Sequence, residues 1–104
     1  MEAKKIIVES EEIEGGIKFT AKGHINALNS GVLEQELENA INKGHKRIIL
    51  NLVQVDFLSS SGIRILIKTY KTMKNNGGVF NIEKPSENVK NVLGITALDS
   101  MLLK

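Results

Sequence analysis

The chain has no cysteine and no tryptophan, one tyrosine (Tyr70) and one proline (Pro85). Without thiols, disulfides and thiolate metal sites are excluded, so stability must come from a packed core. One tyrosine and three phenylalanines give no set of aromatic platforms on which bases could stack. A formal net charge of +2 over 104 residues is too small to argue for a phosphate backbone, so direct nucleic-acid binding is not expected. The apolar run near the N-terminus ends at Glu9, too early for a signal-peptide core, and no stretch approaches a membrane span. Membrane insertion is therefore not expected, and a cytoplasmic location is.

Repeats, low-complexity segments and linkers are also lacking. What is present is the balance of an ordinary globular domain, 41% apolar and 25% charged, with a length that suits one domain over residues 1–104. Lys5 to Glu9 reads as a strand, followed by the acidic turn Glu11-Glu12-Ile13-Glu14-Gly15-Gly16. Ile17, Phe19 and Ala21 alternate with Lys18, Thr20 and Lys22, the period of a strand with one wet face. These two strands should form a hairpin. Leu33, Leu37, Ala40 and Ile41 follow helical spacing, with Ser30 as candidate N-cap and Lys43-Gly44 as the stop. Arg47 to Leu52 reads as a buried strand. A second helix runs from about Ser61 to Asn75, with Ile63, Leu66, Ile67, Tyr70 and Met73 on its apolar face and Asn75-Asn76-Gly77-Gly78 as its stop. Val79 to Ile82 gives a further strand, and Pro85-Ser86-Glu87 opens a third helix carrying Val89, Val92 and Leu93. Ile95, Leu98 and Met101 to Leu103 form an apolar tail. The order β-β-α-β-α-β-α predicts an α/β domain: a small mixed sheet of four or five strands with helices mainly on one face.

Catalytic patterns are missing. The serine-rich turn Ser59-Ser60-Ser61 lacks the G-x-S-x-G pattern of a nucleophile elbow. A triad would need a histidine base, and only His24 and His45 exist, His45 reading as solvated in the turn after Gly44. No phosphate loop and no ligand-spaced histidines or carboxylates occur, so neither metal nor cofactor is expected. Glu34, Glu36 and Glu38 read as a solvated face near a helix start. The chain is not expected to be an enzyme.

The informative stretch is Val55-Asp56-Phe57-Leu58-Ser59-Ser60-Ser61-Gly62. It places three hydroxyls where a strand ends and a helix begins, at free backbone N–H groups and the positive end of a dipole. A serine there either caps the helix or accepts a phosphate. Gly62 either permits close approach of a partner or of neighbouring backbone, or loosens the first turn. Arg64, Lys68, Lys71 and, less well aligned, Lys74 line the second helix opposite its apolar face. Such a stripe is either a solvated face or a dock for an acidic partner surface. Asn26 either ends a strand in a turn or contacts a partner.

Asp56 to Gly62 resembles the motif D-x-hydrophobic-D-S-[ST]-G of the STAS-domain family, specifically its bacterial anti-sigma factor antagonists. Gly23-His24-Ile25-Asn26 is similar to that family's G-x-[LI]-D segment, and the order of elements is the STAS order. The resemblance implies that Ser60 is the phosphoacceptor, with Ser59 and Ser61 as substitutes. It also implies that the unphosphorylated chain binds an anti-sigma factor that is itself a serine kinase, freeing a sigma factor. Phosphorylation at Ser60 would end the complex and a serine phosphatase would reset it. Asn26, Ser59, Ser60, Ser61, Gly62, Arg64, Lys68 and Lys71 are the expected partner-binding residues. The competing expectation is a STAS scaffold or accessory domain of a larger regulatory or transport assembly, never phosphorylated. Two departures stand out: Ser59 and Asn26 occupy positions where the family carries acids, which removes negative charge beside Ser60.

Overall fold

Two antiparallel strands open the chain, β1 (Ile7–Ile13) and β2 (Gly16–Ile25), joined through Glu14 and Gly15. Gly15 takes φ +79, a conformation that side-chain-bearing residues resist. The computed structural model describes residues 6–95. Its remaining elements are α1 (Ser30–Asn42), β3 (Arg47–Leu58), α2 (Ser60–Asn75), β4 (Val79–Glu83) and α3 (Glu87–Ile95). The expected element order is therefore observed, and the expected apolar tail after Ile95 lies outside the described residues. The four strands form one sheet in the order β1-β2-β3-β4, with β2, β3 and β4 mutually parallel. It is a mixed sheet because only the opening hairpin runs the other way.

Alternation along the strands sets the two faces. Phe19, Ala21 and Ile25 of β2, Ile48, Leu50 and Leu52 of β3, and Phe80 and Ile82 of β4 are buried. They pack with Leu33, Leu37 and Ala40 of α1, Ile65, Leu66 and Met73 of α2, and Val89 and Leu93 of α3 in one core. Each large side chain so buried contributes about 1.5–3 kcal/mol. The other face carries Lys18, Thr20 and Lys22. There Lys18 reaches Glu83 at 2.7 Å and Lys22 reaches Glu9 at 3.1 Å. The hydrogen bond to Glu83 holds the Lys18 ammonium above its ordinary range.

Several boundaries differ from expectation for physical reasons. β1 runs to Ile13 because an edge strand tolerates Glu9, Glu11 and Glu12, which make it a poor template for further pairing. β3 continues six residues past Leu52, although β4 pairs only with Arg47 to Asn51. The N-terminal end of α3 covers part of that unpaired edge. Ser86 N–H donates to Leu52 O (3.3 Å), its hydroxyl donates to Val55 O, and Asn88 Nδ2 donates to Asp56 O (2.8 Å). The same Ser86 hydroxyl accepts from Val89 N–H at 3.2 Å, as a helix cap does. In α1 the cap position falls on Asn29, not on Ser30, which is already helical. His45 is half-buried, not solvated, and its Nδ1 donates to Ala40 O at 3.1 Å.

Candidate functional site

The end of β3 and the start of α2 give the three serines three different fates. Ser59 has extended backbone (φ −76, ψ 169), and its N–H donates to Ile25 O at 2.8 Å, tying it to the last residue of β2. Its hydroxyl accepts from Gly62 N–H at 3.1 Å, and its carbonyl accepts from Ile63 N–H at 2.9 Å. That is the geometry of an N-cap, so capping falls to Ser59 and neither to Ser60 nor to Ser61. Ser61 is half-buried, sharing a 2.8 Å hydrogen bond with the Ser59 hydroxyl and receiving one of 3.4 Å from Ser30. Ser60 is the first helical residue. It is exposed, and its hydroxyl has no hydrogen-bond partner among the described residues.

Gly62 is buried, and a Cβ there would stand 2.7 Å from Leu58 Cδ1 and 2.8 Å from Ile25 Cγ2. Its smallness lets α2 start directly on the ends of β2 and β3. The close approach is therefore internal, and Gly62 offers a partner no surface.

Beside the serines, the β2–α1 loop is locked by two asparagines. Asn26 Oδ1 accepts from the N–H groups of Leu28 (2.9 Å) and Asn29 (3.0 Å). Asn29 Oδ1 accepts from Asn26 N–H (2.9 Å), while its Nδ2 donates to His24 O (2.7 Å). Asn26 thus shapes the turn through its side-chain oxygen. The turn holds Leu28 out to water, 80% exposed, with Val32 of α1 exposed one turn on. On the strand side, His24 Nδ1 pairs with Asp56, and the exposed Phe57 ring lies 6.1 Å from the His24 ring. Leu28 and Phe57 were not singled out by sequence. The available signal was a large apolar residue set between turn-forming asparagines, and an aromatic one preceding the serine run.

The basic stripe divides. The buried face of α2 comprises Gly62, Ile65, Leu66, Thr69 and Met73, so Ile63, Ile67 and Tyr70 flank it, only partly buried. This turns Lys68 toward α1, where its Nζ lies 2.9 Å from Glu34 and 3.0 Å from Glu38. Those two hydrogen bonds hold the Lys68 ammonium above its ordinary range. Glu34 and Glu38 are accordingly inter-helix partners and not merely a solvated face. Helical steps of about 100° per residue place Ser60, Arg64 and Lys71 within roughly 40° of one another, on the side pointing away from the core. Arg64 and Lys71 are exposed, with no ion pair among the described residues.

No helix among the described residues is long and apolar enough to cross a membrane. The family model for the STAS domain matches residues 7–104. BtrV of Bordetella bronchiseptica, named as a candidate anti-sigma factor antagonist, is 28% identical over 91 residues, 88% of this chain and 78% of that protein. The anti-sigma-B factor antagonist of Bacillus subtilis is 27% identical over 97 residues, 93% of this chain and 88% of that protein. Among solved structures, the anti-sigma factor antagonist SpoIIAA matches in its unphosphorylated form with a TM-score of 0.81 at 18% identity, covering 93% of this chain and 86% of that one. The phosphorylated form of Bacillus SpoIIAA matches with a TM-score of 0.75 at 17% identity, covering 93% and 89%. At those identities the likeness to SpoIIAA is one of fold.

Proposed function

The chain belongs to the STAS-domain family, and on that premise we propose that it is an anti-sigma factor antagonist switched by phosphorylation of Ser60. In its unphosphorylated form it binds an anti-sigma factor that is also a serine kinase, and the sigma factor is freed. The kinase transfers the γ-phosphoryl group of ATP to Ser60 Oγ, ADP leaves, and the hydroxyl proton passes to solvent or a kinase base. A serine phosphatase hydrolyses the ester and restores the binding form. The chain acts in the cytoplasm as substrate and binding module, and the catalysis belongs to its partners.

The observation that carries this reading is the exposed Ser60 hydroxyl at the first helical position, unbonded among the described residues, with the capping work done by Ser59. A kinase can take Ser60 without dismantling the helix start. The surrounding surface suits docking: Leu28 offers an apolar anchor held by a rigid turn, and Arg64 and Lys71 offer charge. Release needs little. A hundred- to thousandfold drop in affinity corresponds to about 3–4 kcal/mol, which one badly matched, desolvated phosphate supplies.

The test is incubation of the full chain with its cognate anti-sigma kinase and ATP, followed by intact mass measurement. One phosphate is expected on the parent protein and none on Ser60→Ala. Unmodified parent protein, in a complex that persists with ATP present, would favour the never-phosphorylated scaffold instead. A phosphate retained on Ser60→Ala would move the acceptor to Ser59 or Ser61.

A further inference from the structure

The cation nearest to Ser60 along its helix face is Arg64, four residues on. Side chains at that spacing stand one above the other with Cβ atoms about 5–6 Å apart. Arg64 is exposed and has no carboxylate partner among the described residues. The acid of its own hollow and the acid near the end of β3 are already engaged. Glu34, which lines the same hollow between α1 and α2 as Ser61 and Arg64, is held by Lys68 together with Glu38. Asp56 on β3 is paired with His24 on β2. Lys68 lies eight residues along the helix from Ser60, on the order of 12 Å, and Lys71 lies farther still.

Resting on the phosphorylation reading above, we propose that Arg64 is the chain's own counter-charge for a phosphate on Ser60, folding back over one turn of α2 to clasp it. Its guanidinium is a planar fork that matches two phosphate oxygens at once. The N–H groups at the start of the helix add donors on the other side of the ester. Arg64 thus acts on the switch as a positioning residue: it fixes where the phosphate points and how much of its charge a partner meets.

The test places phosphoserine at position 60 during translation, in the full chain, so that it depends on no kinase. Titration followed by phosphorus NMR reads the second ionisation of that phosphate, near pH 6 for a free ester. In the parent protein the midpoint should lie lower than in Arg64→Gln by about half a pH unit at low salt, with Arg64→Lys between them. The gap should shrink at high salt, as for any exposed pair. Lys68→Gln, which breaks the bridge to Glu34 and Glu38, should move the midpoint less than Arg64→Gln. Thermal melts establish that each variant is folded. Equal midpoints in parent and Arg64→Gln would overturn the clasp, as would a Lys68→Gln effect as large as that of Arg64→Gln. Failure of a kinase to modify Ser60 would instead count against the switch reading, and leaves this titration standing.

Discussion

Replacing Ser59 and Ser60 one at a time by alanine separates the two roles that a serine at a helix start can have. Ser59→Ala removes the acceptor of Gly62 N–H and the partner of the Ser61 hydroxyl. Loss of an N-cap costs typically ~1 kcal/mol within a range of about 0.5–2. Gly62 is buried, so water is poorly placed to replace the lost acceptor, and the upper half of that range, about 1–2 kcal/mol, applies. In a domain of this size each kcal/mol lowers the melting temperature by roughly 4–8 °C. Ser60→Ala removes an exposed hydroxyl without a partner among the described residues and installs a better helix former, so stability should change by no more than about 0.5 kcal/mol, in the stabilising direction if at all. Urea and thermal melts followed by circular dichroism read both variants, and phosphate incorporation by the kinase should persist in Ser59→Ala and vanish in Ser60→Ala. The reasoning is refuted if Ser60→Ala is the more destabilised of the two, because the cap would then reside on Ser60 and the free hydroxyl elsewhere.

Gly62→Ala should destabilise by about 1–3 kcal/mol despite alanine's helical preference, since its methyl would overlap Leu58 and Ile25; denaturation midpoints read the change, and a neutral result would show that the two side chains yield freely. Lys71→Glu should slow association with the anti-sigma factor at low salt while leaving stability nearly unchanged, whereas Lys68→Glu should also lower stability by setting a third acid against Glu34 and Glu38; stopped-flow association at two salt concentrations and melts of both variants distinguish them. The Lys68 bridge raises that lysine's pKa on folding, so its contribution is fully present below about pH 10.5, the unfolded value, and is lost only as pH rises through the higher folded value; melts from pH 8 to pH 11 should therefore be flatter at the alkaline end in Lys68→Gln than in the parent.

The order of elements was legible because the apolar residues of β2, α1 and β4 keep one period each and the stops at Gly44 and Gly77 are unambiguous. The second half of β3 was not, because Val53, Gln54 and Asp56 interrupt the alternation where β4 no longer pairs. There the N-terminal end of α3 stands in for a strand, a tertiary arrangement without a local signal. The face of α2 was read one residue off, since Ile63, Ile65, Leu66 and Ile67 are all apolar and only packing decides among them. Lys68 looked equivalent to Arg64 and Lys71, because its partners Glu34 and Glu38 lie some thirty residues away in α1. The serine run marked the site, while the assignment of roles within it rests on one backbone angle, the extended ψ of Ser59, which composition does not specify.

That angle bears on how a switch is built. A hydroxyl that caps a helix is committed: a kinase must first draw it away from the N–H it serves before it can be esterified. The extended backbone at Ser59 places the cap one residue earlier than the exposed serine, so under the proposed switch stability and signalling would fall on neighbouring but separate side chains. A phosphate on Ser60 adds about −1.5 to −2 charge beside a helix N-terminus, where anions are favoured by up to ~2 kcal/mol. The modified chain should then be at least as well folded as the unmodified one, and dissociation of the partner must arise at the surface rather than from loss of structure. Ser59 and Asn26 stand where the family resemblance implies acids, and under the proposed switch they work in the same direction, because no carboxylate there would oppose the incoming phosphate. Under the proposed switch the Asn26–Asn29 turn and the buried Gly62 keep their places while a phosphate adds charge at Ser60.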